Sequence, residues 1–413
     1  MYNNNQIKME INALKKNLNK YLTDGRYDKL FILDYLFSNT NYKELCKIYN
    51  KTPNLHKGLF SAPYLKRKSY EDIYCKGYFL KNNSINEYIG IILFILERNI
   101  NIIKKYISLR SKYENALLLG KYEFALQYIK EINSSVSYSL WAVEQEIKLS
   151  RLTGGLNNCS KTTDKFYKIK SLIRLCCPYY FKTSSIEYPS ENDIDQYFSM
   201  LTDHDIDPDF RNAIISNTCS FKFNPQSEDW LYEMSNSSII DMYNSLRDNL
   251  WNLSCETRMS ESFKEYIRKI GILTNDEIIK KYVYLNDIDK DNSIINKKRD
   301  KLLINYYKEE YQSVIINGTK YLEDNPSDFV ILDFVVRSYI NGKIEYPLDE
   351  NQDIILNKVK LFYYNLLLGR EPYIVYYKKL KTICESLYSI QCFRYLYTVI
   401  NSYNNSAKLD IYS

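Results

Sequence analysis

YISLRSKYENALLLGKYEFALQYIKEINSSVSYSLWAVEQEIKLSRLTGGL, residues 106–156, is the stretch that decides the fold class. Leu109, Tyr113, Ala116 and Leu117 recur at the three- and four-residue spacing of one helix face, and Gly120 ends the run. A second helix starts at once, with Tyr122, Ala125, Ile129 and Ile132 on one side. After the polar break Asn133-Ser134-Ser135, a third helix carries Leu140, Trp141, Val143, Ile147 and Leu152, and Gly154-Gly155 is expected to stop it. Short helices joined by tight turns cannot bury their apolar faces alone, so the pattern predicts neighbours of the same kind.

Composition points the same way. The 413-residue chain has only 11 Gly and 9 Pro, too few for the many tight turns of an all-β protein. Hydrophobic residues at 45% and charged residues at 26% fit a globular chain rather than a disordered one. The 42 Tyr, together with abundant Asn, Ile and Lys, share AT-rich codons, so the bias reads first as a genomic signature. A net charge of +6 is mild for this length and lacks the concentrated basic stripe of a dedicated nucleic-acid binder. The nine cysteines are scattered without a CxxC pair, which predicts reduced thiols packed as small hydrophobes. The first residues, MYNNNQIKMEINALKK, have no apolar signal segment, and Ile89–Leu96 is too short to span a bilayer. The expectation is a cytoplasmic protein with no membrane contact.

In chain order, residues 1–105 read as an N-terminal helical region and 106–179 as helical repeats. Residues 180–237, rich in Ser, Asn, Asp and Pro, read as an irregular insertion or linker with a strand at 220–223. Residues 238–300 form a helical connector and 301–413 a C-terminal helical region. A helix over 162–175 is expected to close at Cys176-Cys177-Pro178. Thr274-Asn275-Asp276-Glu277 has the spacing of a capping box and predicts a helix start.

The second strong signal is INYYKEEYQSVIINGTKYLEDNPSDFVILDFVVRSYINGK, residues 304–343, which resembles a tetratricopeptide-type repeat. Tyr311 takes the Tyr place of that family's G-x-Y-x-x-A run, Val314 the Ala place, and Pro326 closes the unit at the family's distance. Gly120, Tyr122 and Ala125 fit the same run directly in the first unit, with Ser137 in place of the closing Pro. Glu309 replaces the turn Gly of the second unit, and Gly318 stands where an aromatic is usual. The resemblance covers about a quarter of the chain and implies an all-α, right-handed helical-repeat solenoid, with a less regular middle segment.

No Walker loop, GxGxxG, GxSxG, HExxH or zinc-type Cys/His spacing occurs. His56 and His204 are the two histidines; His204 lies in the acidic run Asp203–Asp209, where Pro208 takes the place a calcium loop gives to Gly. Asp287–Asp291 starts similarly and has Lys298 where the closing Glu belongs. Neither run is read as a metal site, and no cofactor is expected. The reading is a non-catalytic scaffold or adaptor that docks another protein or peptide in a helical-repeat groove. Lys112, Asn115 and Arg337 are its candidate groove residues, with Tyr106, Tyr113, Tyr122 and Tyr339 beside them. The alternative is a nucleic-acid-binding subunit using three basic clusters: Lys66-Arg67-Lys68, Lys297-Lys298-Arg299 with Lys301, and Lys378-Lys379 with Lys381. A third reading, from composition, is an accessory or sensor of a bacterial phage-defence or toxin system.

Overall fold

A computed structural model describes residues 67–73, 95–169, 172–185, 237–255, 261–276, 294–347, 354–369, 373–387 and 390–412, with isolated positions 196, 197, 199, 200, 214 and 279. Among these, all regular structure is helical. The helices are α1 (Ile100–Leu118), α2 (Tyr122–Ser135), α3 (Leu140–Tyr167), α4 (Leu172–Thr183), α5 (Ile239–Cys255) and α6 (Glu261–Thr274). They continue as α7 (Ile294–Tyr307), α8 (Tyr311–Asp324), α9 (Phe329–Asn341), α10 (Ile355–Leu367), α11 (Tyr373–Ser386) and α12 (Gln391–Tyr412). No described helix is long and apolar enough to cross a membrane. The strand expected at 220–223, the two histidines and both Asp-rich runs lie outside the described residues.

The spacing read from the sequence is realised in α1 and α2. Ile103, Tyr106, Leu109, Tyr113, Ala116 and Leu117 are buried on α1, and Ala125, Ile129 and Ile132 on α2. Between them Gly120 takes φ +71, its amide reaching Leu117 O at 3.2 Å while Lys121 N reaches Ala116 O at 2.8 Å. This pair of bonds is the Schellman closure of a helix end. The turn between α7 and α8 repeats it: Glu309 N bonds Tyr306 O at 2.9 Å and Glu310 N bonds Asn305 O at 2.9 Å. Here the left-handed position, φ +62, is filled by exposed Glu309. A side chain with a Cβ is strained there by about 1 kcal/mol. Glu309→Gly is therefore expected to raise stability by up to about 1 kcal/mol, read as a higher urea midpoint at unchanged slope.

Gly318 has the opposite logic. It sits in mid-α8, and a Cβ there would fall inside contact distance of Val335 Cγ2 on α9. Val335 is itself buried, and its branched side chain has one comfortable helical rotamer, so it cannot swing aside. The aromatic that the repeat pattern places here would separate α8 from α9. Gly318→Ala is expected to lose about 1–2 kcal/mol in equilibrium denaturation, although alanine favours a helix over glycine by about 1 kcal/mol.

Several helix boundaries differ from expectation. Gly155, at φ 66 and ψ −162, breaks the helical path as expected, yet a second helical segment follows directly within α3, and Asn158 Nδ2 takes up Ser150 O across the break at 3.2 Å. The helix expected over 162–175 is split, with α3 ending at Tyr167 and α4 starting at Leu172, and α4 runs through Pro178 to Thr183 rather than closing at the cysteines. The nearby Leu175 carbonyl accepts from the Tyr197 hydroxyl at 3.0 Å. Thr274 is the last residue of α6, its Oγ1 donating to Ile270 O at 2.7 Å and accepting from Asp276 N at 3.3 Å, so the helix expected from Asn275 starts further on, with Ile279 inside it. The boundaries expected at 105/106, 179/180 and 300/301 fall inside α1, α4 and α7.

The helices form two cores that meet at α3. Leu140, Val143 and Ile147 join Cys159, Phe166, Ile173, Cys176, Cys177 and Tyr180 in the smaller one. Trp141, Ala142 and Leu149 face the larger, which runs from α1 through α5, α8, α9 and α10 to α12. Trp141 meets Tyr106 and Tyr113 edge-on, with ring centroids 5.6 and 5.3 Å apart, an arrangement worth about 0.5–1.5 kcal/mol beyond burial. Consecutive helices pack on one another from α1 to α4 and from α7 to α12, and α1 also packs against α5, α6 and α10. Lys148 on α3 donates to Ser386 O at the end of α11 over 2.6 Å. In an open one-dimensional array each unit would touch only its neighbours. Here the end of the described chain is tied back to its beginning.

Candidate functional site

The basic cleft between α7 and α8 follows from helix geometry. α7 and α8 run antiparallel about the 308–310 turn, and Lys298, Lys301, Leu302 and Asn305 recur along one face of α7. Asn317, Lys320, Tyr321 and Asp324 do the same on α8, with Asn325 following. α8 turns Val314, Gly318 and Leu322 inward, so its second flank is left to line the cleft. The two flanks enclose about 510 Å³, within the range of small-ligand and peptide pockets.

Its floor is apolar and fixed, because Leu302 is 4% and Tyr321 8% exposed. The Tyr321 hydroxyl donates to Asp328 Oδ2 at 3.1 Å, and Arg299 Nε reaches the same oxygen at 2.9 Å. Burial first, and then the Asp328 charge, push the Tyr321 phenol up to about 12, so it stays a protonated donor. Asn305 Nδ2 and Asn317 Nδ2 both reach Ser313 Oγ at 3.2 Å, which anchors the end nearest the turn. The walls are charged. Lys298, Lys301 and Lys320 are exposed and enter no ion pair among the described residues, and Asp324 is the cleft's single carboxylate.

The sequence candidates are placed as follows. Lys112 is exposed on α1 and Asn115 half-buried one turn on. Arg337 on α9 is held by its own helix, Nε lying 2.9 Å from Asp333 Oδ1, whose other donor is the Tyr363 hydroxyl at 2.6 Å. Tyr106 and Tyr113 are 1% exposed and bond Asn244 and Gln145, so they are core residues rather than groove lining. Tyr122 and Tyr339 are half-buried against the larger core.

The basic clusters also separate. Lys66 lies outside the described residues, and Arg67 is 5% exposed, with Nη2 on Ser237 O, so it cannot present a surface charge. Lys68, Lys297 and Lys378 are exposed, while Lys379 lies over the Phe362 ring at 5.0 Å. Of the second cluster, Arg299 is spent on Asp328, and Lys298 and Lys301 enter the cleft. Lys320, Asn305, Asn317, Tyr321 and Asp324 were missed by sequence reasoning. Only a hairpin drawn with its i, i+3, i+4 and i+7 positions facing each other would have collected them.

Burial raises the Cys176 and Cys384 thiols well above their usual range, which keeps them protonated and poorly nucleophilic. Among the described residues no three His, Cys, Asp or Glu side chains are grouped as metal ligands. No protein-family model matches the chain, and no curated protein or solved structure matches it.

Proposed function

We propose that the chain works by docking: an all-α, tetratricopeptide-like interaction module whose α7–α8 cleft receives an anionic segment of another protein. One observation carries this reading. Three lysines that enter no ion pair among the described residues line a cleft with one carboxylate among its described lining residues and a rigid apolar floor. Such a site is electrostatically incomplete without an anion. The matching turns at Gly120 and Glu309 support the repeat-like character, and the contacts of α10 and α11 back to α1 and α3 give the module a closed outline. Nucleic-acid binding ranks second, because Arg67, Arg299 and Lys379 are each engaged within the protein.

The test is fluorescence anisotropy with labelled anionic peptide pools, comparing the wild-type chain with the K298Q/K301Q/K320Q variant. The variant's substitutions are on exposed positions and should leave stability within about 0.5 kcal/mol. It is expected to lose at least about tenfold in affinity. Unchanged peptide binding by the variant, or tighter binding of single-stranded nucleic acid with a steep salt slope, would overturn the assignment.

A further inference from the structure

We infer that the anion seated in the α7–α8 cleft is a phosphoryl group on the partner segment, a phosphoserine or phosphothreonine, rather than a run of carboxylates. This rests on the docking reading above. Three features of the cleft point to it.

The first is charge. Lys298, Lys301 and Lys320 against Asp324 leave two positive charges unanswered. A phosphomonoester carries about −1.5 to −2 at neutral pH on a single group, whereas a carboxylate brings one charge and must be supplied twice.

The second is donor type. The lining cations are all lysines, and the nearest arginine, Arg299, is turned to Asp328. The guanidinium fork pairs two-pronged with carboxylate and phosphate alike, whereas compact ammonium groups act as point charges that can gather around a tetrahedral oxyanion from several sides.

The third is the order of groups along the cleft. The antiparallel hairpin sets Asn305 and Asn317 near the turn, Lys301 and Lys320 at mid-length, and Lys298 with Asp324 and Asn325 at the far end. A strand of acidic side chains laid along this groove would bring one of them against Asp324. A single dianion between Lys301, Lys320 and Lys298 avoids it. Asp324 and the asparagine amides are then left for a neutral or basic flanking residue and for the peptide backbone.

The experiment uses the full chain and four probes: degenerate labelled peptide pools with a central phosphoserine, a central Glu or a central Ser, and AMP as a phosphomonoester without a peptide. The phosphoserine pool is expected to bind at least about tenfold more tightly than the Glu pool. K320Q should reduce that preference to less than about threefold, while K104Q, at an exposed position of α1, should leave it intact. Equal binding of the phosphoserine and Glu pools overturns the phosphoryl inference and leaves the anionic-segment reading standing. If no peptide pool binds, both fall. AMP binding as tightly as the phosphoserine pool assigns the cleft to a small phosphorylated metabolite and also overturns the inference.

Discussion

Asp276→Ala is expected to cost about 3–5 kcal/mol, the loss seen when one partner of a buried ion pair is removed. Asp276 is 2% exposed, and its Oδ2 accepts from Arg247 Nε at 2.9 Å and from the Tyr243 hydroxyl at 2.6 Å. Arg247, 7% exposed, also lies 3.5 Å from Asp248, a carboxylate it shares with Arg394 of α12. Arg110 stands nearby on α1, bonded to Glu114 at 2.7 Å and to Asn244 Oδ1 at 2.6 Å. The α1, α5, α6 and α12 junction therefore balances buried arginines against buried acids, and removing one acid leaves an excess of positive charge there. Denaturation of the single variant measures the loss. The double variant Arg247→Met with Asp276→Leu is expected to regain most of it, because an apolar pair of similar volume carries no desolvation cost. A double variant as unstable as the single one would mean that shape, not charge balance, is what the junction requires.

Asp241 provides the second large effect. From the first turn of α5 its carboxylate accepts Leu140 N at 2.9 Å and Trp141 N at 3.1 Å, so it caps α3 from outside that helix. Ser238 Oγ donates to it at 2.8 Å. Asp241→Ala orphans two buried amides and is expected to cost about 3 kcal/mol. The cost depends on pH in a fixed direction. Burial, outweighing the amide bonds, the Ser238 bond and the Arg67 charge, lifts the carboxyl from 3.8 to about 6. A folded-state pKa above the unfolded value means that the native state binds the proton more tightly. The contribution is thus complete below pH 3.8 and lost as pH rises through 6. Between pH 4 and pH 7 the penalty of Asp241→Ala should shrink by about 2 kcal/mol. Urea titrations of both proteins at the two pH values would show it, and a penalty that grew with pH would contradict the assignment.

The helices and most of their buried faces were legible because they depend on local spacing. The 109–117 and 125–132 stripes and the Gly120 turn were read directly from residues a few positions apart. Misreadings came where one residue's preference was overruled by its surroundings. Gly155 does break the helical path, but helix resumes directly after it with Asn158 bridging the break, and Pro178 is carried inside α4. Arg67 looked like a surface cation because its neighbours are Lys66 and Lys68, yet its backbone amide is held by Ser137 Oγ and its guanidinium by Ser237 O. The charge junction was illegible for a different reason, since Arg394 and Asp248 are 146 residues apart. The cleft lies between these cases. Lys298 and Lys301 were visible as a cluster, and Lys320 became their partner only when the hairpin folded.

The bond from Lys148 to Ser386 has a consequence for the ribosome. The two residues are 238 positions apart, so at about 5–20 residues per second Lys148 leaves the tunnel roughly 10–50 s before its acceptor exists. The face of α1 that α10 will cover waits for much of the same interval. Local hairpins such as α1–α2 can form during this delay, but the long-range closure cannot, which places the chain among proteins whose folding speed is limited by late contacts. The nascent chain would then be sticky for tens of seconds, and its yield in a cell should depend more on chaperone supply during synthesis than on the stability of the finished protein.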